Sequence, residues 1–142
     1  MLSNKKIIEI ISIFQLLAAS IICIIFSSQE YIELPDIGFD FIDKILHFSA
    51  FFIYGISIQT AIITNIDYIK EKINISPNAI KIIVILFGML FAASDEIHQY
   101  FVPGRSADIL DWIADSLGII CSIFLYNSIQ KIILKIKKKF NA

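Results

Sequence analysis

Charge is scarce in this chain. Asp, Glu, Lys and Arg make up 18% of its 142 residues while 57% are apolar, against about a quarter charged and 45–50% apolar in soluble domains. That balance excludes an ordinary soluble domain and fits a membrane protein. Excess charge of either sign is also missing: 12 basic residues face 13 acidic ones, which argues against a basic nucleic-acid binder and against an acidic disordered tail. Cysteine is limited to Cys23 and Cys121. Both sit inside apolar runs without C-x-x-C spacing or neighbouring histidine, so they read as small hydrophobes rather than metal ligands or redox partners. No repeat, low-complexity stretch or β-type alternation competes with the long apolar runs.

A spanning helix needs about 20 mostly apolar residues, and the chain holds four such stretches with short loops and no room for a separate soluble domain. Ile7–Phe26 follows Lys5 and Lys6. It is too long for a signal-peptide core of about 7–15 residues and ends in FSSQE rather than at a small-x-small cleavage site, so a retained helix is expected. The second run, FIDKILHFSAFFIYGISIQTAIIT, is polar only over its first turns. A third continues through SDEIHQYFV to the Pro103-Gly104 turn, and a fourth starts at Asp108. The expectation is an all-α, polytopic four-helix transmembrane bundle forming one domain over residues 1–142, with spans near 7–26, 43–64, 80–100 and 108–130.

Lysine and arginine in short loops set orientation. Lys5, Lys6, Lys70, Lys72, Lys81, Lys131, Lys135, Lys137, Lys138 and Lys139 fall on the side of the two termini, leaving Lys44 and Arg105 on the other. Both termini are therefore expected in the cytoplasm. The tail KIILKIKKKF reads first as a topology signal and second as a contact to anionic lipid, worth about 1 kcal/mol per basic residue near the surface.

Carboxylates follow the opposite pattern. Glu30, Glu33, Asp36, Asp40, Asp43, Asp95, Glu96, Asp108, Asp111 and Asp115 all map to the outer loops and helix ends. Helix capping explains some of them, because Asp40 and Asp43, like Asp108 and Asp111, stand at helix starts where a carboxylate satisfies free N–H groups and complements the dipole. Capping does not explain the faces. Residues three and four apart share a face, which stacks Asp43 with His47 on span two and Asp95 with His98 and Gln99 on span three. Asp108, Asp111 and Asp115 form a stripe on span four that continues into Gly118 and Ser122. Asp115 lies about 9 Å deeper than Ile109 at 1.5 Å per residue, a depth at which ionisable groups usually turn inward.

Asp43–His47 and Asp95–His98 are the candidate catalytic pairs, since a carboxylate fixes an imidazole tautomer and raises its basicity for acid–base work. Lys44, Glu96, Gln99, Arg105, Asp108, Asp111 and Asp115 are the candidate binding residues. Arg105 carries a planar fork suited to phosphate or carboxylate; its plainer role is a salt bridge to Asp108, Asp95 or Glu96. No cofactor is expected. A divalent metal on the two histidines and their carboxylates stays open, although no H-E-x-x-H spacing marks it. Ser94 and Ser106 are the only nearby hydroxyls, with no evident base at local spacing.

The segment SDEIHQYFVPGRSADILDWIADSLG, Ser94 to Gly118, resembles the signature of the VanZ-like family of bacterial membrane proteins, D-E-x-x-Q-x-F-V-P-G-R followed by an Asp. DKILHFSAFFIYG, Asp43 to Gly55, resembles the same family's second-span motif, D-K-x-x-H-F-x-x-F. Together they cover about a quarter of the chain in the family's order. The matching positions are Asp43, Lys44, His47 and Phe48, then Asp95, Glu96, His98, Gln99, Phe101, Pro103, Gly104, Arg105, Asp108 and Asp111. Asp115 departs from the pattern, standing where the family is expected to carry Asn.

The resemblance implies a multi-pass protein of the bacterial plasma membrane that alters susceptibility to teicoplanin-type lipoglycopeptides. Besides the lipid bilayer, its expected partner is an anionic lipid or lipid-linked cell-wall precursor near Arg105, and no nucleic acid. Two other readings stay open: a membrane-embedded enzyme of lipid or envelope chemistry, and a small structural subunit packing through Ala114, Gly118 and Ser122.

Overall fold

The computed structural model describes residues 3–30 and 42–140. Glu33, Asp36 and Asp40, expected at the polar end, lie outside them. The described residues form α-helices with no β-strand: α1 (Asn4–Ser27), α2 (Ile42–Thr64), α3 (Ile66–Lys72), α4 (Pro77–Tyr100), α5 (Ile109–Ser122) and α6 (Tyr126–Phe140), the last two joined through a 3₁₀ turn at Ile123–Leu125. Three helices are long and apolar enough to cross a membrane: α1, α2 and the continuous Ile109–Phe140. The pair α3 and α4, bent by 105°, passes the same test only when the two are taken together as one broken span, which gives three to four candidate spans. The protein is an all-α membrane bundle, as expected.

Local chemistry sets the helix ends. Ser3 accepts from Lys6 N–H at the start of α1. Ser76 does the same for Ala79 N–H at the start of α4, where Pro77 takes the first-turn position that needs no donor. Asp108 caps α5 by accepting from Leu110 N–H at 2.8 Å. Between α4 and α5 the chain turns at Gly104, whose φ of 76° is one that side-chain-bearing residues rarely adopt.

Two features differ from the expected spans. The connection after α2 holds a short helix, α3, and the last helical stretch runs on to Phe140, ten residues past the expected boundary at 130. Both extensions meet at Asp67 of α3, which lies 3.0 Å from Lys5 of α1 and 3.0 Å from Lys137 of α6. One carboxylate thus ties three helices at the lysine-rich end.

Helix α2 is central and packs on α1, α4, α5 and α6, most extensively on α5. Its Phe51, Tyr54 and Ile58 meet Val84 and Ala92 of α4, Ile119 of α5 and Tyr126 of α6 in one buried cluster. Tyr54 stacks on Phe91 with ring centroids 4.5 Å apart. Apolar side chains left exposed, among them Phe14, Leu17, Phe26, Leu90, Leu117 and Phe124, cover the outside, where a bilayer rather than water is the matching solvent.

The α2–α5 contact is close enough to be a backbone contact. A Cβ on Gly118 would meet the Phe48 carbonyl oxygen and stand 2.8 Å from Phe52 N; one on Gly55 would meet Ser122 Oγ. The Gly118–Ser122 stripe is therefore spent inside the bundle. Gly88 differs, because there a Cβ would meet only the side chain of Ile119. Since Ala gains about 1 kcal/mol over Gly in helix propensity, Gly88→Ala is expected to change stability by less than about 1 kcal/mol. Gly118→Ala, which must move α2 itself, is expected to cost about 2–3 kcal/mol, the upper range for overpacking. Unfolding of the two variants in detergent checks the order.

Candidate functional site

The α2–α5 contact sets the register of a polar cluster at the end of the bundle remote from the lysines. Lys44, in the first turn of α2, reaches across to α5. Its Nζ lies 2.7 Å from Asp108 Oδ2, 2.5 Å from Asp111 Oδ1 and 3.3 Å from Asp43 Oδ2. One turn deeper, His47 Nδ1 lies 3.0 Å from Asp115 Oδ1, while its Nε2 is 3.9 Å from both Asp43 Oδ1 and Asp111 Oδ1. Burial rises along the α5 stripe: the Asp108 carboxylate is 37% exposed, that of Asp111 7% and that of Asp115 0%.

Helix α4 closes the third side. Glu96 is buried and accepts the Asp108 backbone N–H at 2.9 Å, which fastens the loop that starts α5. Asp95 is buried and accepts from Gln99 Nε2 at 3.2 Å, and Gln99 Oε1 in turn accepts from Arg105 Nη2 at 2.6 Å. Arg105 is thus held by a neutral amide, and among the described residues it bridges none of Asp108, Asp95 or Glu96.

The expected pairings hold only in part. Asp43 does lie beside His47, but the shorter contact of His47 is to Asp115 on the neighbouring helix. Asp95 and His98 share a helix face without bonding: His98 is exposed, and its Nε2 sits 2.9 Å from Ser28 Oγ at the end of α1. The i,i+3 offset leaves the two residues 60° apart around the helix, with Asp95 buried on Gln99 and His98 exposed on Ser28. A groove of about 200 Å³ between α1 and α4, lined by Ile24, Phe91, Ser94, Asp95 and His98, opens at this level. Ser28 gives no sequence signal, because a serine at a helix end is first a cap.

Two buried carboxylate oxygens, Glu96 Oε1 and Asp115 Oδ2, have no hydrogen-bond partner among the described residues. Buried polar groups are normally satisfied, so two unpartnered carboxylate oxygens on facing helices leave acceptor capacity open at this level. Two groups have the spacing of metal ligands, Asp43–His47–Asp111 and His47–Glu96–Asp115, each with one ligand atom per residue within 4.8 Å of the others. The pairing of His47 with an enclosed aspartate also suits proton transfer, as the carboxylate orients the ring and supports its charged form.

The VanZ/LLP1 family model matches residues 3–133. The chain belongs to the VanZ/LLP1 family. Comparison with curated proteins and with solved structures gives no match. Within this VanZ/LLP1 protein the two polar motifs, Asp43–His47 and Asp95–Asp115, are separate in sequence and joined in space by one ammonium, one imidazole and the α2–α5 contact.

Asp108 precedes the last span, and the Lys44 ammonium bonded to it holds its carboxyl below the usual carboxylate range. A lowered folded value means that this tie stabilises the protein above the ordinary pKa of about 3.9 and fades as pH falls through the folded value. Lys44→Met leaves Asp111 without its nearest donor and is expected to cost about 1–3 kcal/mol. It should also flatten the acid limb of stability, while adding Asp111→Asn should restore part of the loss. Unfolding in detergent as a function of pH measures all three.

Proposed function

We propose that this VanZ/LLP1 protein sits in the bacterial plasma membrane with both termini in the cytoplasm, and that its polar cluster opens to the outer surface. There it binds an anionic lipid or lipid-linked cell-wall precursor and so alters susceptibility to teicoplanin-type lipoglycopeptides. The observation that carries this reading is Arg105: a guanidinium at the rim of the cluster, held among the described residues by the neutral Gln99 rather than by a carboxylate. Its charge and planar fork are well matched to a phosphate. The groove beside α1 opens on Ile24, Phe91 and Asp95, the last bonded to the same Gln99 that holds Arg105. The lysines at the opposite end favour the stated orientation.

A membrane-embedded enzyme is the second reading, favoured by the His47–Asp115 pair. An imidazole clamped at 3.0 Å by a fully enclosed carboxylate is suited to general-base work on a bound headgroup. The structural-subunit reading loses its main argument, because Gly118 and Ser122 pack on α2 of the same chain.

Expression in a susceptible bacterium is expected to raise the inhibitory concentration of teicoplanin several-fold. Arg105→Ala and His47→Ala should each abolish the rise at unchanged membrane abundance. Retention of the full effect by both folded variants contradicts the binding role. Loss in His47→Ala alone moves the enzyme reading ahead.

A further inference from the structure

The oxygens left without partners show what the cluster still lacks. Asp115 is fully enclosed; its Oδ1 faces His47 Nδ1 and its Oδ2 has no partner among the described residues. Glu96 is 6% exposed, with Oε2 on the Asp108 N–H and Oε1 unpartnered among the described residues. Burying two like-charged carboxylates together is costly unless positive charge accompanies them. Lys44 does not supply it, being bonded to Asp43, Asp108 and Asp111 nearer the helix ends, and a protonated His47 supplies one charge against two.

A divalent ion supplies both charges at once. Ligands bonded to one ion at about 2.0–2.2 Å stand about 3–4 Å from one another. The 3.0 Å separation of His47 Nδ1 and Asp115 Oδ1 fits two adjacent ligands as well as it fits a hydrogen bond. The full triad, one atom each from His47, Glu96 and Asp115, lies within 4.8 Å, so small side-chain rotations close it around an ion.

We infer that His47 of α2, Glu96 of α4 and Asp115 of α5 form a divalent-cation site in which one metal ion bonds all three helices. One imidazole with two carboxylates suits Zn²⁺ or Mn²⁺ better than Mg²⁺ or Ca²⁺, which favour all-oxygen shells. Three protein ligands leave a coordination position open, and an anionic headgroup reaching past Arg105 is the chemistry that position accepts.

The inference uses residues of the proposed site but does not require the proposed role, and the two fail separately. Protein purified in detergent is stripped with chelator and titrated with Zn²⁺ and with Mn²⁺, following heat of binding and thermal unfolding. One of these ions should bind saturably at one per chain and raise the unfolding temperature. Glu96→Gln and Asp115→Asn should each weaken binding at least tenfold, while His98→Ala, whose ring lies against Ser28 outside the triad, should bind as the parent does.

Glu96→Gln keeps an acceptor for the Asp108 N–H and so tests ligation without removing that tie; if Asp115→Asn does not fold, Glu96→Gln decides alone. Absence of saturable binding in the parent, or parent-like affinity in the folded amide variants, overturns the site. Saturable binding in a protein without effect on teicoplanin leaves the site standing and removes the proposed function. A teicoplanin effect without binding does the reverse.

Discussion

The backbone contact of α2 with α5 is the constraint on which the rest depends. Gly118 lets α5 approach the Phe48–Phe52 turn of α2 without an intervening side chain, and Gly55 does the same opposite Ser122. In a bilayer the lipid tails are as apolar as leucine, so helix association relies on close packing and interhelical hydrogen bonds. Both operate along this seam, where Gln59, fully buried on α2, donates to Ser122 O at 3.1 Å and to Ser122 Oγ at 3.0 Å. Once the seam is in register, Lys44 lies over Asp108 and Asp111, and His47 lies over Asp115.

The polar end is held by the same few atoms that give it chemistry. Six carboxylates, those of Asp43, Asp95, Glu96, Asp108, Asp111 and Asp115, gather near Lys44, Arg105 and two histidines, an acidic balance that a purely structural network would gain little from. Removing one partner of a buried charged network is far more destabilising than replacing the whole network by apolar groups. Glu96 and Asp115, two such carboxylates enclosed in a chain with so little charge, are the physical case for a ligand.

Much of this organisation is legible from residue spacing. The apolar runs give the spans, the Asp108 cap and the Pro103-Gly104 turn give the start of α5, and the i,i+3 and i,i+4 offsets gather the carboxylates onto facing surfaces. Spacing along one helix does not say which residue on another helix a side chain meets. Asp43 is the local neighbour of His47, yet Asp115, on another helix, lies closer, and Asp95 and His98 part company because α1 offers Ser28. Asp67 is unremarkable until Lys5 and Lys137 converge on it. Helix α3 escapes notice because seven residues in a polar connection carry too little periodicity to register. Gln59 looks like one polar residue in an apolar run, and only the opposing Ser122 explains it.

The central claim is that the α2–α5 register couples His47 to Asp115, and a double-mutant cycle on that pair tests it most directly. Unfolding in detergent is measured for the parent, His47→Gln, Asp115→Asn and the double variant, in the presence of chelator. Residues in contact typically couple by about 0.5–3 kcal/mol, and the account predicts a coupling in that range, with the double variant less impaired than the sum of the single ones. Strict additivity would mean that the two side chains do not meet, and would contradict the assembly of the site across the two helices.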